Sequence, residues 1–112
     1  MRNRWNMEIR RGNLVSYHTS RGEVRAGWVR KFFRISGYGW RVETSSGSCG
    51  IDDVISVKSE FIRRGCRIEI GTGKPGYRFV QGWQVLNPET GAWSVEMRRA
   101  HALIEVREMR EA

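Results

Sequence analysis

Arg25, Arg30, Lys31 and Arg34 are interleaved with Trp28, Phe32 and Phe33 along one run, "VRAGWVRKFFRI". Phosphates need cations and unstacked bases need flat apolar partners, so this mixture suits single-stranded or structured nucleic acid. The same run also describes a solvated basic face with its rings turned inward, and the letters alone leave both readings open. A second cluster, Arg98 and Arg99 followed by His101, falls in a turn-like stretch, and turns on a rigid scaffold present binding groups well. Arg63 and Arg64 repeat Arg10 and Arg11 as "RRG". Duplicated pairs of this kind would give two phosphate grips of similar geometry, although solubilising linker charge explains them equally. The expected nucleic-acid-binding residues are therefore Arg25, Trp28, Arg30, Lys31, Phe33, Arg34, Arg63, Arg64, Arg98 and Arg99.

Other chemistries find less support. His18 and His101 lie at non-equivalent places, and no serine or cysteine has a recognisable activating partner. Glu43 and Glu96 are one per repeat with no histidine beside them, a poor pattern for acid–base work; they are expected to pair across strands with arginine. The stretch "GTGKPG" at 71–76 lacks the spacing and following helix of a phosphate-binding loop, though its amides and Lys74 would meet a phosphate non-specifically. Cys49 and Cys66 lack metal-ligand spacing and are expected to be small buried residues. No catalytic centre, metal or cofactor is expected.

The formal charge of +8 over 112 residues supports a polyanionic partner, and both halves of the chain are basic. Only Lys31, Lys58 and Lys74 are lysine, and arginine's planar fork is the usual choice where anions are gripped. A GC-rich genome would favour arginine codons, but codon bias does not by itself create surplus positive charge. No apolar run approaches the roughly 20 residues of a membrane span, and the opening "MRNRWNMEIRRGN" lacks the apolar core of a secretion signal. A cytoplasmic protein that does not enter membranes is expected.

The elements that must position these residues repeat. Trp40, Val42 and Glu43 return as Trp93, Val95 and Glu96 at an offset of 53, the offset that also carries one "RRG" onto the other. Gly27-Trp28 returns as Gly82-Trp83 at 55. Val15 and Tyr17 align with Ile68 and Ile70, alternating with polar neighbours, so the same face is inward in both copies. Thirteen glycines and two prolines with short apolar runs argue for many small strands. Each copy reads as strand, loop, long strand, hairpin, strand, turn and a short closing strand, "VISV" or "ALIEV".

That pattern, with a glycine before a bent second strand, resembles the SH3-like group that includes Tudor and KOW modules. The predicted fold is all-β: two tandem SH3-like small barrels packed as a pseudo-twofold pair, with a short C-terminal helix. The expected organisation is an N-terminal arm over 1–9, one barrel over 10–60, a second over 61–107 and a tail over 108–112. Trp40 and Trp93 share a face with Val42 and Val95 and are expected to fill the cores. Trp28 and Trp83 lie on strands with aromatics of both parities, whose second face needs a cover: the other barrel, which is favoured, another subunit, or a ligand.

The first copy also resembles the plasmid-borne type II dihydrofolate reductases through Gly37, Tyr38, Val42, Glu43, Thr44, Gly47, Ser48 and Ile51. The resemblance implies a shared fold. That family's glutamine and tyrosine beside the isoleucine are Gly50 and Asp52 here, and its first-strand lysine is Tyr17. The functional expectation is binding of RNA or single-stranded DNA. The alternatives are a module or small inhibitor that binds an acidic partner protein, with homodimerisation open, and a reductase-like protein.

Overall fold

The computed structural model describes residues 1–70 and 76–112, and over 67–70 and 77–79 it describes the backbone alone. Lys74 and its loop, and the inward facing expected of the Ile68 and Ile70 side chains, lie outside what is described. The chain divides into two compact units, Met1–Ser59 and Glu60–Ala112. Both are built on antiparallel strands. Among the described residues no helix is long and apolar enough to cross a membrane.

Unit one is a five-stranded sheet: β1 (Leu14–His18), β2 (Val24–Ile35), β3 (Gly39–Thr44), β4 (Gly47–Gly50) and β5 (Val54–Lys58), in the spatial order β4-β3-β2-β1-β5. A 3-10 turn at Ile51–Asp53 leads into β5. At about 3.3 Å per residue, the 12 residues of β2 are too long to lie straight across so small a core. The strand therefore bends and serves two partners. Its first half pairs with β1, from His18↔Val24 to Leu14↔Trp28. Its second half pairs with β3, from Val29↔Thr44 to Ile35↔Gly39, with a register shift between Val29 and Lys31. Arg30 is the extra residue of that bulge, and bulges bend a strand and raise its twist.

Gly27 sits where the bend begins. A Cβ at that position would lie 2.8 Å from the Thr44 Cβ and closer still to the Thr44 and Ser46 hydroxyls. Thr44 cannot easily give way, because it is buried and its Oγ1 donates to the Gly47 carbonyl at 2.7 Å. The core behind the sheet holds Val15, Tyr17, Val29, Val42, Cys49 and Val54, together with Ile9.

Ile9 belongs to the segment expected to be a loose arm, and the structure corrects that expectation. Ile9 is fully buried and Met7 packs on the same core. Asn3 donates from Nδ2 to the Ile51 carbonyl at 3.1 Å, and the Trp5 indole N–H donates to the Asp52 carbonyl at 3.0 Å. The open alternation of "MRNRWNMEI" gave no period to read, whereas its polar side chains found backbone partners on the 3-10 turn.

Unit two begins with β6 (Ile62–Ile70) and β7 (Tyr77–Val85), paired from Ile62↔Val85 to Ile70↔Tyr77. After a turn at 87–91, residues 93–97 run back along β7. Ser94 donates from its amide to the Val85 carbonyl at 2.9 Å, and Trp83 and Met97 exchange two backbone bonds at 2.8 Å. This three-segment meander matches β1-β2-β3 in order. Beyond it the units part company: helix α1 (Arg99–Glu111) stands where "ALIEV" was expected to be a closing strand and 108–112 a tail. Ala102 and Val106 are buried with half-buried Met109, a spacing of four and three that belongs to a helix face. Arg, Ala, Leu, Glu and Met are also strong helix formers. Phe61, Val85 and Leu86 are the other buried large apolar side chains of this unit among the described residues.

Other expectations also change. The two "RRG" triplets differ in conformation: Arg10–Gly12 form a turn, with Gly12 at φ 83, whereas Arg63–Gly65 lie inside β6. They are not equivalent grips preceding a first strand. Val42 is buried as expected, but Trp40 is 43% exposed and Val95 79% exposed. Trp40 lies one residue inside the β2–β3 hairpin end, past the limit of the core. Cys49 is buried and Cys66 exposed.

Gly27→Ala is expected to destabilise unit one by about 1–3 kcal/mol, the usual range for forcing an extra methyl into packed structure. Faster hydrogen exchange of the β1 and β3 amides is the readout. Burial, with the nearby Asp53 charge, pushes the Cys49 thiol up to about 11, so it stays protonated at neutral pH. A thiol-reactive chromogen should count one fast cysteine, Cys66, in the native protein and a second only in denaturant.

Candidate nucleic-acid interface

In unit two three of the four arginines expected to grip phosphate lie on tryptophan rings. Arg63 faces Gln84 across the β6–β7 ladder and donates from Nε to Gln84 Oε1 at 2.7 Å. Its guanidinium lies 4.2 Å from the centre of the Trp93 ring. Gln84 in turn donates to the Ser94 carbonyl at 2.9 Å, which ties the arginine to the segment that carries Trp93. Arg64 faces Trp83 in the same ladder, and its guanidinium is 5.5 Å from that ring's centre. Arg99, from the first turn of α1, reaches the same ring at 5.5 Å.

Guanidinium is flat and weakly hydrated, so it stacks on a ring while its N–H edges remain available to an anion. Each such contact contributes about 0.5–1 kcal/mol at an exposed site, which fixes the cation in place without cancelling its charge. No carboxylate oxygen lies within 4 Å of Arg63, Arg64 or Arg99 among the described residues. Arg98 is the exposed residue that opens α1, and no acidic residue occupies that helix's first turn. The Arg98–Arg99 pair was expected in a turn, and its place at a helix start adds the partial positive charge of the free amides there.

In unit one the run "VRAGWVRKFFRI" does not make one surface. Arg25 pairs in register with inward-facing Tyr17, forms an ion pair with Glu23 at 3.6 Å and lines a polar pocket. Phe32 packs against the core. Lys31 and Phe33 take the opposite parity, beside the Arg30 bulge, and Lys31 meets Glu43 at 3.6 Å. The cross-strand partner of Glu43 is thus a lysine, where an arginine was expected. Arg34 lies with its guanidinium 6.0 Å from the centre of the Trp40 ring. Trp28 is half-buried, held by a backbone bond from its amide to Ser45 Oγ at 2.9 Å. Arg30 is exposed at the bulge and has no carboxylate oxygen within 4 Å among the described residues.

Sequence reasoning missed Trp83 and Trp93 as arginine platforms, having read the rings as core or interface. The available signal was the joint duplication of tryptophan and arginine pairs. It also missed Arg21 and Arg41, which join Arg25 at the polar pocket. Among the described residues no three His, Cys, Asp or Glu side chains gather to hold a metal. Comparison with protein-family models, curated proteins and solved structures finds no match to this chain.

A double-mutant cycle on Arg63→Ala and Trp93→Leu is expected to give a coupling of about 0.5–1 kcal/mol, from urea unfolding of the four proteins. A coupling indistinguishable from zero would show that the contact does not hold the guanidinium on the ring.

Proposed function

We propose that this protein binds single-stranded RNA or DNA through arginines stacked on tryptophans, on a scaffold of two related SH3-like modules. The first module is an open barrel of five strands. The second is a shortened copy whose closing strand is replaced by α1. Three features support the scaffold reading: the long bent β2 shared by two partner strands, the 3-10 turn before β5, and the antiparallel pairing of β5 with β1. Trp28 and Trp83 occupy the middle strand of each meander, while Trp40 and Trp93 occupy the third segment. A cytoplasmic location goes with this reading.

The observation that carries the binding proposal is the set of guanidiniums of Arg63, Arg64 and Arg99 resting on Trp93 and Trp83 with no carboxylate in reach among the described residues. Phosphates would meet the guanidinium edges and displace counterions, and bases would stack on exposed ring surface such as Trp40. Arg34, with its guanidinium 6.0 Å from the centre of the Trp40 ring, offers the same pairing in unit one. Sequence preference is expected to be slight, because every base has a face to stack and backbone charge carries no sequence information.

A second reading is docking onto an acidic partner protein. It is favoured by Leu103 and Ile104, exposed on α1 at 40% and 47%, beside the basic residues of the same helix. Nuclease treatment separates the two readings, since a protein partner would be retained after digestion.

Binding of a labelled single-stranded oligonucleotide should fall steeply with salt, with a log–log slope of about 0.7 per phosphate contact. The triple change Arg63→Gln, Arg64→Gln, Arg99→Gln should weaken binding at least tenfold and flatten the slope by about 2 on the same basis. Salt-insensitive binding, or full affinity in the triple variant, would remove the proposal.

A further inference from the structure

The polar pocket of unit one has the chemistry of a second anion site, separate from the stacked arginines. Its volume is about 520 Å³, within the range of small-molecule sites. Three guanidiniums reach it from three elements: Arg21 from the β1–β2 turn, Arg25 from β2 and Arg41 from β3. The Thr19 and Ser48 hydroxyls and the His18 ring also line it.

The mounting is rigid where it matters. The β1–β2 turn is closed by the Thr19 amide donating to the Glu23 carbonyl at 2.8 Å, the Gly22 amide donating to the Thr19 carbonyl at 2.9 Å, and the Glu23 amide donating to Thr19 Oγ1 at 3.1 Å. The pocket wall is the buried Tyr17, whose hydroxyl is bonded to Ser46 Oγ at 2.9 Å. Arg41 is half-buried and sits in the β3–β4 ladder opposite Gly50.

Two carboxylates share the pocket, and both are occupied. Glu23 is paired with Arg25 at 3.6 Å, and Asp53 Oδ2 accepts from the Gly50 amide at 3.2 Å. Arg21 and Arg41 have no carboxylate oxygen within 4 Å among the described residues. With three arginines against two carboxylates the lining keeps a surplus positive charge, and two forked cations outside any ion pair, with hydroxyl donors between their elements, match a negatively charged group with several terminal oxygens. A carboxylate would leave one fork unfilled. The volume left over accommodates more than the phosphate itself.

We propose that this pocket binds a phosphomonoester, with Arg21 and Arg41 clamping the phosphate, Thr19 and Ser48 donating to it, and the remaining space taking a nucleoside-sized group. The group has two sources, a free mononucleotide or the terminal phosphate of a strand. The site lies wholly in unit one and stands whether or not the tryptophan-stacked arginines bind nucleic acid.

Calorimetry on the full chain distinguishes these cases, using adenosine 5′-monophosphate, adenosine, inorganic phosphate and acetate, and matched oligonucleotides with a 5′-phosphate or a 5′-hydroxyl. The monophosphate is expected to bind at least tenfold more tightly than adenosine or acetate. Arg21→Gln with Arg41→Gln should abolish that preference, while Lys58→Gln, outside the pocket, should retain it. Preference for the 5′-phosphorylated strand over the monophosphate identifies a strand end as the ligand, and the reverse identifies a free nucleotide. Equal affinity for adenosine 5′-monophosphate, adenosine and acetate would overturn the proposal. So would an unchanged preference in the double variant, with hydrogen exchange of the β1 and β3 amides confirming that it is folded. Loss of oligonucleotide binding in the Arg63, Arg64, Arg99 variant with monophosphate binding intact would separate the two sites.

Discussion

The close approach of β2 to the β3–β4 hairpin at Gly27 is the constraint on which unit one depends. One strand must serve two partners, and it turns between them only where no side chain stands between its backbone and Thr44. The bulge at Arg30 follows at once and changes which residues face the core: Val29 and Phe32 pack inward although they are three positions apart. The same bend sends Arg25 toward the pocket and leaves Arg30 and Phe33 elsewhere. A packing requirement at a single glycine thus decides where the cations of a twelve-residue strand can act.

Unit two answers a different problem with the same residue types. Where unit one continues with strands, unit two continues with α1, whose Ala102 and Val106 are buried. The tryptophans, left partly in solvent, receive guanidiniums. A ring accepts a cation without neutralising it, so the surface gains order and keeps its charge. Two guanidiniums share the Trp83 ring, each 5.5 Å from its centre. An ion pair with carboxylates would have ordered the same arginines and removed their attraction for phosphate.

Much of this was legible in the letters. The antiparallel β character, the strand–long strand–hairpin–strand order of residues 14–44 and the inward faces of Val15, Tyr17 and Val42 all follow from period-two patterning and turn residues. Less legible was the N-terminal segment. Its side chains are fixed by bonds to backbone groups about 47 residues away, and no local period records such contacts. A short C-terminal helix was legible, but its start at Arg99 was not, because "ALIEV" carries β-branched letters at a place where the repeat supplied a strand. The buried spacing that overrides it emerges only when Ala102, Val106 and Met109 are taken together.

The chain's composition alone settled that positive charge exceeds negative by eight and that its surplus is carried by arginine, because charge is a sum and needs no coordinates. Short-range periodicity settled which residues alternate, because a strand's side chains must do so. Tertiary structure decided the rest: which arginines meet carboxylates, which rest on rings, and which converge on a pocket. Those outcomes depend on distances between residues remote in sequence, set by one bend and one bulge, and an electrostatic contact of a few ångströms has no counterpart in the order of the letters.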